Sequence, residues 1–290
     1  MSSAPVPMIE HFSAVSDRYD GIICDVWGVL HNGERVTREA ADALAAVRRR
    51  GVKVVMLTNA PRMPANVAQF IDQLGGAPEA FDAIIASGGV TRDLIAAEGD
   101  RRYHHIGPAR DTNIFAGLAA RPALLAEADY VVCTGLHDDE TETAQTYRPQ
   151  LDIMLKRGLT MICANPDIVV ERGHRLIPCA GAIAELYETM GGRVTWVGKP
   201  HQLVYDIARR EIERLVGRPV EKKRLIGIGD ALRTDVAGAV GYGIDCLFVL
   251  DGIHSAELGP LGRDYSPAAV SAFVEKSPLR PTYTTVRLRD

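Results

Sequence analysis

The stretch Gly21-Ile22-Ile23-Cys24-Asp25-Val26-Trp27-Gly28-Val29-Leu30 decides the fold. Small and apolar residues lead into one aspartate, and a glycine follows three positions later. A strand buried on both faces of a parallel sheet reads this way. This one ends abruptly in a carboxylate. A charge there is costly unless something pairs with it, and in open α/β sheets ligand chemistry gathers at the carboxyl ends of strands. Alone, Asp25 would read first as an N-cap or turn residue. Recurrence of the pattern changes that reading.

Lys53-Val54-Val55-Met56-Leu57-Thr58-Asn59 is a second strand that stops at polar residues, and Leu225-Ile226-Gly227-Ile228-Gly229-Asp230 and Cys246-Leu247-Phe248-Val249-Leu250-Asp251 repeat the theme. Val194-Thr195-Trp196-Val197-Gly198-Lys199 is a shorter run ending on a cation. The spacing of Ala40, Leu44 and Val47 predicts a helix over 37–50, capped by Thr37 and stopped by Gly51. The first two strands and this helix make a βαβ unit, which is right-handed. Asn32-Gly33 signals a tight hairpin, a flap beside Asp25. Further helices are expected over 64–74, 90–97, 182–190, 202–216 and, opened by Asp235, 236–240, with a strand over 82–87 and an edge strand over 283–288. The middle of the chain alternates on its own account: a weak strand over 102–107, a helical stretch over 114–125, a strand over 129–135, a helix over 143–157 and a strand over 160–165 closed by Asn165-Pro166-Asp167. That is enough for a smaller α/β domain inserted into the first.

The composition agrees with a two-domain globular protein. The chain has 290 residues, 47% hydrophobic and 24% charged, with 33 Lys+Arg against 37 Asp+Glu and a net charge of −4. No basic stripe argues for nucleic acid; Arg48-Arg49-Arg50 suits a helix end. The five cysteines are scattered without a Cys-x-x-Cys pair, which suggests neither a zinc site nor a disulfide framework. The first residues lack the form of a signal peptide and no apolar run reaches the length of a membrane span, so a cytoplasmic protein with no membrane partner is expected.

Right-handed parallel strands put their carboxyl ends on one sheet edge. If Asp25, Asp230 and Asp235 meet there, each carboxylate pair at ~5 Å and an effective dielectric of ~20 repels by about 3 kcal/mol. A hard divalent cation with oxygen ligands removes that cost, and Mg²⁺ is the expected one. An ionised aspartate beside a cation and a lysine is a competent nucleophile toward phosphorus. Thr58 and Asn59 can bind the equatorial oxygens, and Lys199 can neutralise charge on both partners.

Asp25-x-Trp27-Gly28-Val29, Leu57-Thr58-Asn59, Gly198-Lys199-Pro200 and Gly229-Asp230-x-x-x-Thr234-Asp235, in this order, resemble the four motifs of the haloacid-dehalogenase-like hydrolases. The insert with Asn165-Pro166-Asp167 and Gly181 is similar to class IIA, the NagD-like and para-nitrophenylphosphatase-like branch. The resemblance implies an α/β fold with a Rossmann-like three-layer parallel-sheet core (1–86 and 184–290) and an inserted α/β cap domain (87–183). It also implies Mg²⁺ and hydrolysis of a small phosphorylated substrate such as a sugar phosphate or nucleotide. Asp25 would be the nucleophile and a metal ligand, Thr58, with Asn59 beside it, would bind phosphate, and Lys199 would hold nucleophile and phosphate. Asp230 and Asp235 would serve the metal, as would the backbone carbonyl of Trp27. Dimerisation through the cap stays open.

The chain departs from the family pattern at Trp27, where relatives carry a second aspartate as general acid and base. Indole donates only through its N–H, and losing a general acid typically removes ~10²–10⁴-fold of rate. His31 and His254 are candidate substitutes. Two alternatives follow: a substrate whose leaving group needs no proton (acyl phosphate, phosphonate or halide), or a non-catalytic binder of phosphorylated metabolites. Asp251-Gly252 reads as a turn and Trp196 as packing.

Overall fold

The structure, a computed structural model, describes residues 5–172, 175–259, 261–275 and 277–290. In chain order the strands are β1 (Gly21–Cys24), β2 (Lys53–Thr58), β3 (Ala83–Ala86), β4 (Arg102–Ile106), β5 (Arg121–Pro122), β6 (Tyr130–Cys133), β7 (Thr160–Cys163), β8 (Val169–Arg172), β9 (Arg175–Pro178), β10 (Arg193–Trp196), β11 (Leu225–Gly229), β12 (Asp245–Val249) and β13 (Tyr283–Thr285). The α-helices are α1 (Ser13–Ser16), α2 (Arg38–Arg49), α3 (Pro64–Gln73), α4 (Ser87–Ala97), α5 (Arg148–Arg157), α6 (Ala180–Thr189), α7 (Gln202–Val216), α8 (Ala237–Tyr242) and α9 (Pro267–Val274).

The chain forms two compact units, one of residues 1–58, 68–85 and 205–290, the other of residues 59–67 and 86–204. The first holds a Rossmann-like sheet in the order β13-β12-β11-β1-β2-β3, with parallel pairing from β13 through β2. The middles of its central strands are apolar because they are buried on both faces: Ile22, Ile23, Cys24, Val54 to Leu57, Leu225, Ile226, Leu247 and Phe248 are all buried. α2 covers the crossover from β1 to β2 and buries Ala40, Leu44 and Val47, as its periodicity predicts. Thr37 stands at its N-cap position without a side-chain cap bond.

The second unit has its own parallel sheet, β10-β7-β6-β4-β5, and a separate antiparallel hairpin, β8-β9. Val131, Cys133, Leu151, Met154, Met161, Ile183, Ala184 and Tyr187 form its core.

β10 pairs with β7, Arg193 against Thr160, and Trp196 packs on the second core, so Arg193–Trp196 belongs to the second unit. The stretch 114–125 is not an α-helix: a 3₁₀ segment, Ala109–Phe115, buries Ile114 and Phe115, and the chain then extends into β5. Gly117, at φ +72°, and Pro122 stop helical propagation there. The Asn32-Gly33 hairpin reduces to a single antiparallel bridge, His31 to Val36, with Asn32 Oδ1 accepting the N–H groups of Glu34 and Arg35 at 3.0 Å. The tail adds α9, capped by Ser266, before the edge strand β13. Among the described residues no helix is long and apolar enough to cross a membrane.

Candidate active site

Strand register builds the site of the first unit. Cys24 pairs with Ile228 of β11 and with Met56 of β2. Asp25 therefore leaves β1 level with the last residue of β11, and Asp230 and Thr58 follow within one or two positions at the same sheet edge. The Asp25 N–H still donates to Ile228 O at 2.8 Å, which fixes the direction of departure.

Three carboxylates meet at that edge. One oxygen each of Asp25, Asp230 and Asp235 lies within 4.8 Å of the others; Asp230 and Asp235 are buried and Asp25 is half-buried. Each is pinned by a backbone N–H: Asp25 Oδ1 accepts from Val26 at 2.7 Å, Asp230 Oδ2 from Ile253 at 2.8 Å and Asp235 Oδ2 from Ala231 at 3.1 Å. Asp235 sits on a single π turn, Leu232–Val236, inserted before α8 rather than opening an α-helix. Such turns re-aim side chains and recur at functional sites. Three carboxylates this close, two of them buried, repel strongly. An all-oxygen donor set of this charge fits a hard divalent cation.

Glycines let these groups approach. A Cβ on Gly28 (φ +82°) would stand 2.0 Å from Asp230 Oδ2, and one on Gly252 would stand 2.2 Å from the same atom. A Cβ on Gly229 would stand 2.0 Å from Asp235 Cγ. Gly252 and the Ile253 N–H were hidden in a segment that reads as a turn. Asp251, the last strand-end aspartate, takes no part in the cluster contacts: it accepts from Tyr265 Oη and from Arg287 Nε, and so ties the tail down.

Trp27 is 43% exposed, large for an aromatic side chain two positions after Asp25. Its ring lies against the bare Cα of Gly33 and edge-on to His31, centroids 5.1 Å apart, and His31 is edge-on to Phe70 at 5.5 Å. His31 is 3% exposed, and burial pushes its imidazole down to about 4. His254 Nε2 accepts the Leu232 N–H at 3.3 Å, and its Nδ1 donates to Glu257 Oε1 at 2.6 Å.

The remaining two residues read from the sequence, Asn59 and Lys199, lie in the second unit, and both are buried. Lys199 N–H donates to Asn59 Oδ1 at 2.7 Å, and Asn59 Nδ2 donates to Lys199 O at 3.1 Å and to Asp167 Oδ1 at 2.9 Å. Asn165-Pro166-Asp167, which the sequence marks only as a turn, thus touches the residue after Thr58.

Comparisons with known proteins agree with this architecture. Residues 22–119 match the family model for haloacid dehalogenase-like hydrolases and residues 196–276 match that for HAD-hydrolase-like proteins. A haloacid dehalogenase-like family hydrolase from Brucella suis superposes with a TM-score of 0.84 at 44% identity, over 97% of this chain and 100% of that one. A possible sugar phosphatase from Cytophaga hutchinsonii superposes with a TM-score of 0.76 at 22% identity, over 97% and 98% of the two chains. The ribonucleotide monophosphatase NagD of Escherichia coli is 24% identical over 81% of this chain and 89% of its own. The chain belongs to the haloacid dehalogenase-like hydrolases, in their NagD-like class IIA branch.

Proposed function

We propose that this hydrolase is a Mg²⁺-dependent phosphatase of a small phosphorylated metabolite, a sugar phosphate or nucleotide-like ester, working through an aspartyl-phosphate on Asp25. The observation that carries the reading is the meeting of Asp25, Asp230 and Asp235 within 4.8 Å at one sheet edge. Phosphatase-named relatives support it: NagD is a ribonucleotide monophosphatase and other relatives are acid sugar phosphatases.

Asp25, Asp230, Asp235 and the Trp27 carbonyl would hold the cation. When bound, Mg²⁺ offsets the negative charge of the carboxylates and of the phosphoryl oxygens. Asp25 is the nucleophile: a carboxylate oxygen attacks phosphorus, the ester P–O bond breaks, and its electron pair leaves on the substrate oxygen. Water then attacks the aspartyl-phosphate, releasing inorganic phosphate and restoring the carboxylate. Thr58, at the end of β2, offers a hydroxyl to the phosphoryl oxygens, and the Lys199 ammonium balances their charge.

A second reading concerns the leaving group. His31 Nδ1 accepts the Gly33 N–H at 3.1 Å, and both ring nitrogens of His254 are engaged in bonds that shape its loop. That observation favours substrates whose leaving group departs without a proton, such as acyl phosphates.

Asp25→Asn tests the main reading. The variant keeps the fold, loses turnover of p-nitrophenyl phosphate, and no longer accepts beryllofluoride on its side chain. Wild-type turnover in Asp25→Asn ends the assignment.

A further inference from the structure

We propose that Asn59 and Asp167 are positioning residues that set the aim of Lys199, and that Asn59 acts on phosphate through Lys199 rather than through its own amide. The inference rests on the reading of Lys199 as the phosphate-holding cation.

An asparagine side chain has one carbonyl oxygen and two N–H donors. In Asn59 the oxygen accepts the Lys199 N–H at 2.7 Å, one donor goes to Lys199 O at 3.1 Å, and Nδ2 also reaches Asp167 Oδ1 at 2.9 Å. The amide therefore grips Lys199 on both sides of its Cα, as a neighbouring strand would. Both amide hydrogens are committed to protein acceptors. Asn59 is 4% and Lys199 3% exposed, so solvent does not compete for these bonds.

The grip is closed by two glycines. A Cβ on Gly198, at φ +131°, would stand 2.6 Å from both Asn59 Oδ1 and Pro166 Cδ. A Cβ on Gly181 would stand 2.4 Å from Pro166 O and 2.5 Å from Asp167 O. Asn165 Oδ1 accepts the Asp167 N–H at 3.0 Å, which shapes the turn that presents Asp167. Three segments remote in sequence thus close on the Lys199 peptide with no slack. A catalytic group displaced by 1 Å can lose about 10²-fold in rate, which gives the clasp a measurable effect on Lys199.

A double-mutant cycle tests it, with p-nitrophenyl phosphate and Mg²⁺ for turnover and calorimetry for inorganic phosphate affinity. Asn59→Ala is expected to lower kcat about 10²-fold with a smaller change in KM. Added to Lys199→Ala, it costs nothing further, because its effect passes through the missing ammonium. Asp167→Asn keeps an acceptor for Asn59 and keeps most activity, whereas Asp167→Ala loses activity in the Lys199 background only. Losses from Asn59→Ala and Lys199→Ala that multiply, or full activity in Asn59→Ala, overturn the proposal. Should Asn59→Ala fail to fold by thermal melt, Asp167→Ala takes its place in the cycle with the same two outcomes. A Lys199→Ala variant with undiminished turnover and phosphate affinity overturns the underlying reading of Lys199 instead, and is told apart because the damage then vanishes at Lys199 itself.

Discussion

The Gly33 N–H donates to His31 Nδ1 at 3.1 Å, so the imidazole that follows Asp25 in the chain spends its acceptor on the loop that carries it. The ring is wedged between Trp27 and Phe70 and buried, and desolvation holds it neutral well below its usual range, at about 4. His254 is likewise built into its loop through Leu232 and Glu257. Turnover of a series of aryl phosphates is therefore expected to fall steeply as the leaving-group pKa rises, and His31→Ala leaves that slope unchanged. Trp27→Asp installs a carboxyl group at the position where the family resemblance implies an acid and flattens the slope, raising the rate on alkyl phosphates by ~10²–10⁴-fold. A flat wild-type dependence, made steep by His31→Ala, would restore His31 as the proton donor.

The carboxylate cluster predicts linked changes in stability and activity. On the proposed reading the cluster binds Mg²⁺ in the folded chain only, so millimolar Mg²⁺ is expected to raise the melting temperature and chelation to lower it. Asp230→Asn removes most of the Mg²⁺-induced shift. It also relieves repulsion among three carboxylates within 4.8 Å, so without Mg²⁺ the variant is more stable than wild type by about 1–3 kcal/mol. Activity falls at least ~10²-fold. Thermal melts of both proteins, with and without the cation, separate these effects; equal Mg²⁺ shifts in the two would remove Asp230 from the ligand set.

Gly28 leaves the cluster no room for added bulk. An alanine there brings Cβ to 2.0 Å from Asp230 Oδ2 in a backbone conformation, φ +82°, that side chains resist. Gly28→Ala is expected to lower stability by more than about 2 kcal/mol and to abolish Mg²⁺-dependent turnover. Urea unfolding and a steady-state assay check both. Gly51, also at positive φ but with nothing within 4 Å of its Cβ position, serves as control: Gly51→Ala costs stability and leaves turnover intact.

The sheet edge was legible because its signal is local. The central strands of the first unit carry apolar runs stopped by a polar residue, and Asp25, Thr58 and Asp230 stand where those runs end. The Lys199 peptide was legible as a motif, but not as a structural partner of Asn59, since the hydrogen bonds between them span 140 positions. The sheet that Arg193–Trp196 joins was not legible because the strand is half-exposed and of mixed polarity, and only its pairing with Thr160–Cys163 shows it. The stretch 114–125 misled because Ile114, Leu118 and Leu125 keep helical spacing across Gly117 and Pro122. β8 and β9 carry charged residues and no strict alternation, which hid their hairpin. Asp111 gave no sign in the sequence, being one polar residue in a polar loop.

That aspartate supplies a pH-dependent prediction in the second unit. Asp111 is 4% exposed in the 3₁₀ segment after β4, and burial raises its carboxyl to about 6, against the opposing pull of Arg110, Arg62 and a bond to Thr134. Thr134 Oγ1 in turn meets His105 Nε2 at 2.9 Å, and burial holds His105 down at about 4. The Asp111 carboxyl binds its proton more tightly folded than unfolded. Its contribution to stability is therefore greatest below the unfolded value near 3.8 and is lost as pH rises through about 6. The loss is on the order of 3 kcal/mol for a shift of about two units. Asp111→Asn carries no charge to desolvate and still accepts the Thr134 hydroxyl. Subtracting its urea midpoints from those of wild type cancels the other carboxylates. Wild type is expected to be the less stable of the two at pH 7.5, and the gap to close, by a comparable free energy, as pH falls to 4. A constant difference across that range would mean that Asp111 keeps an ordinary carboxyl in the fold.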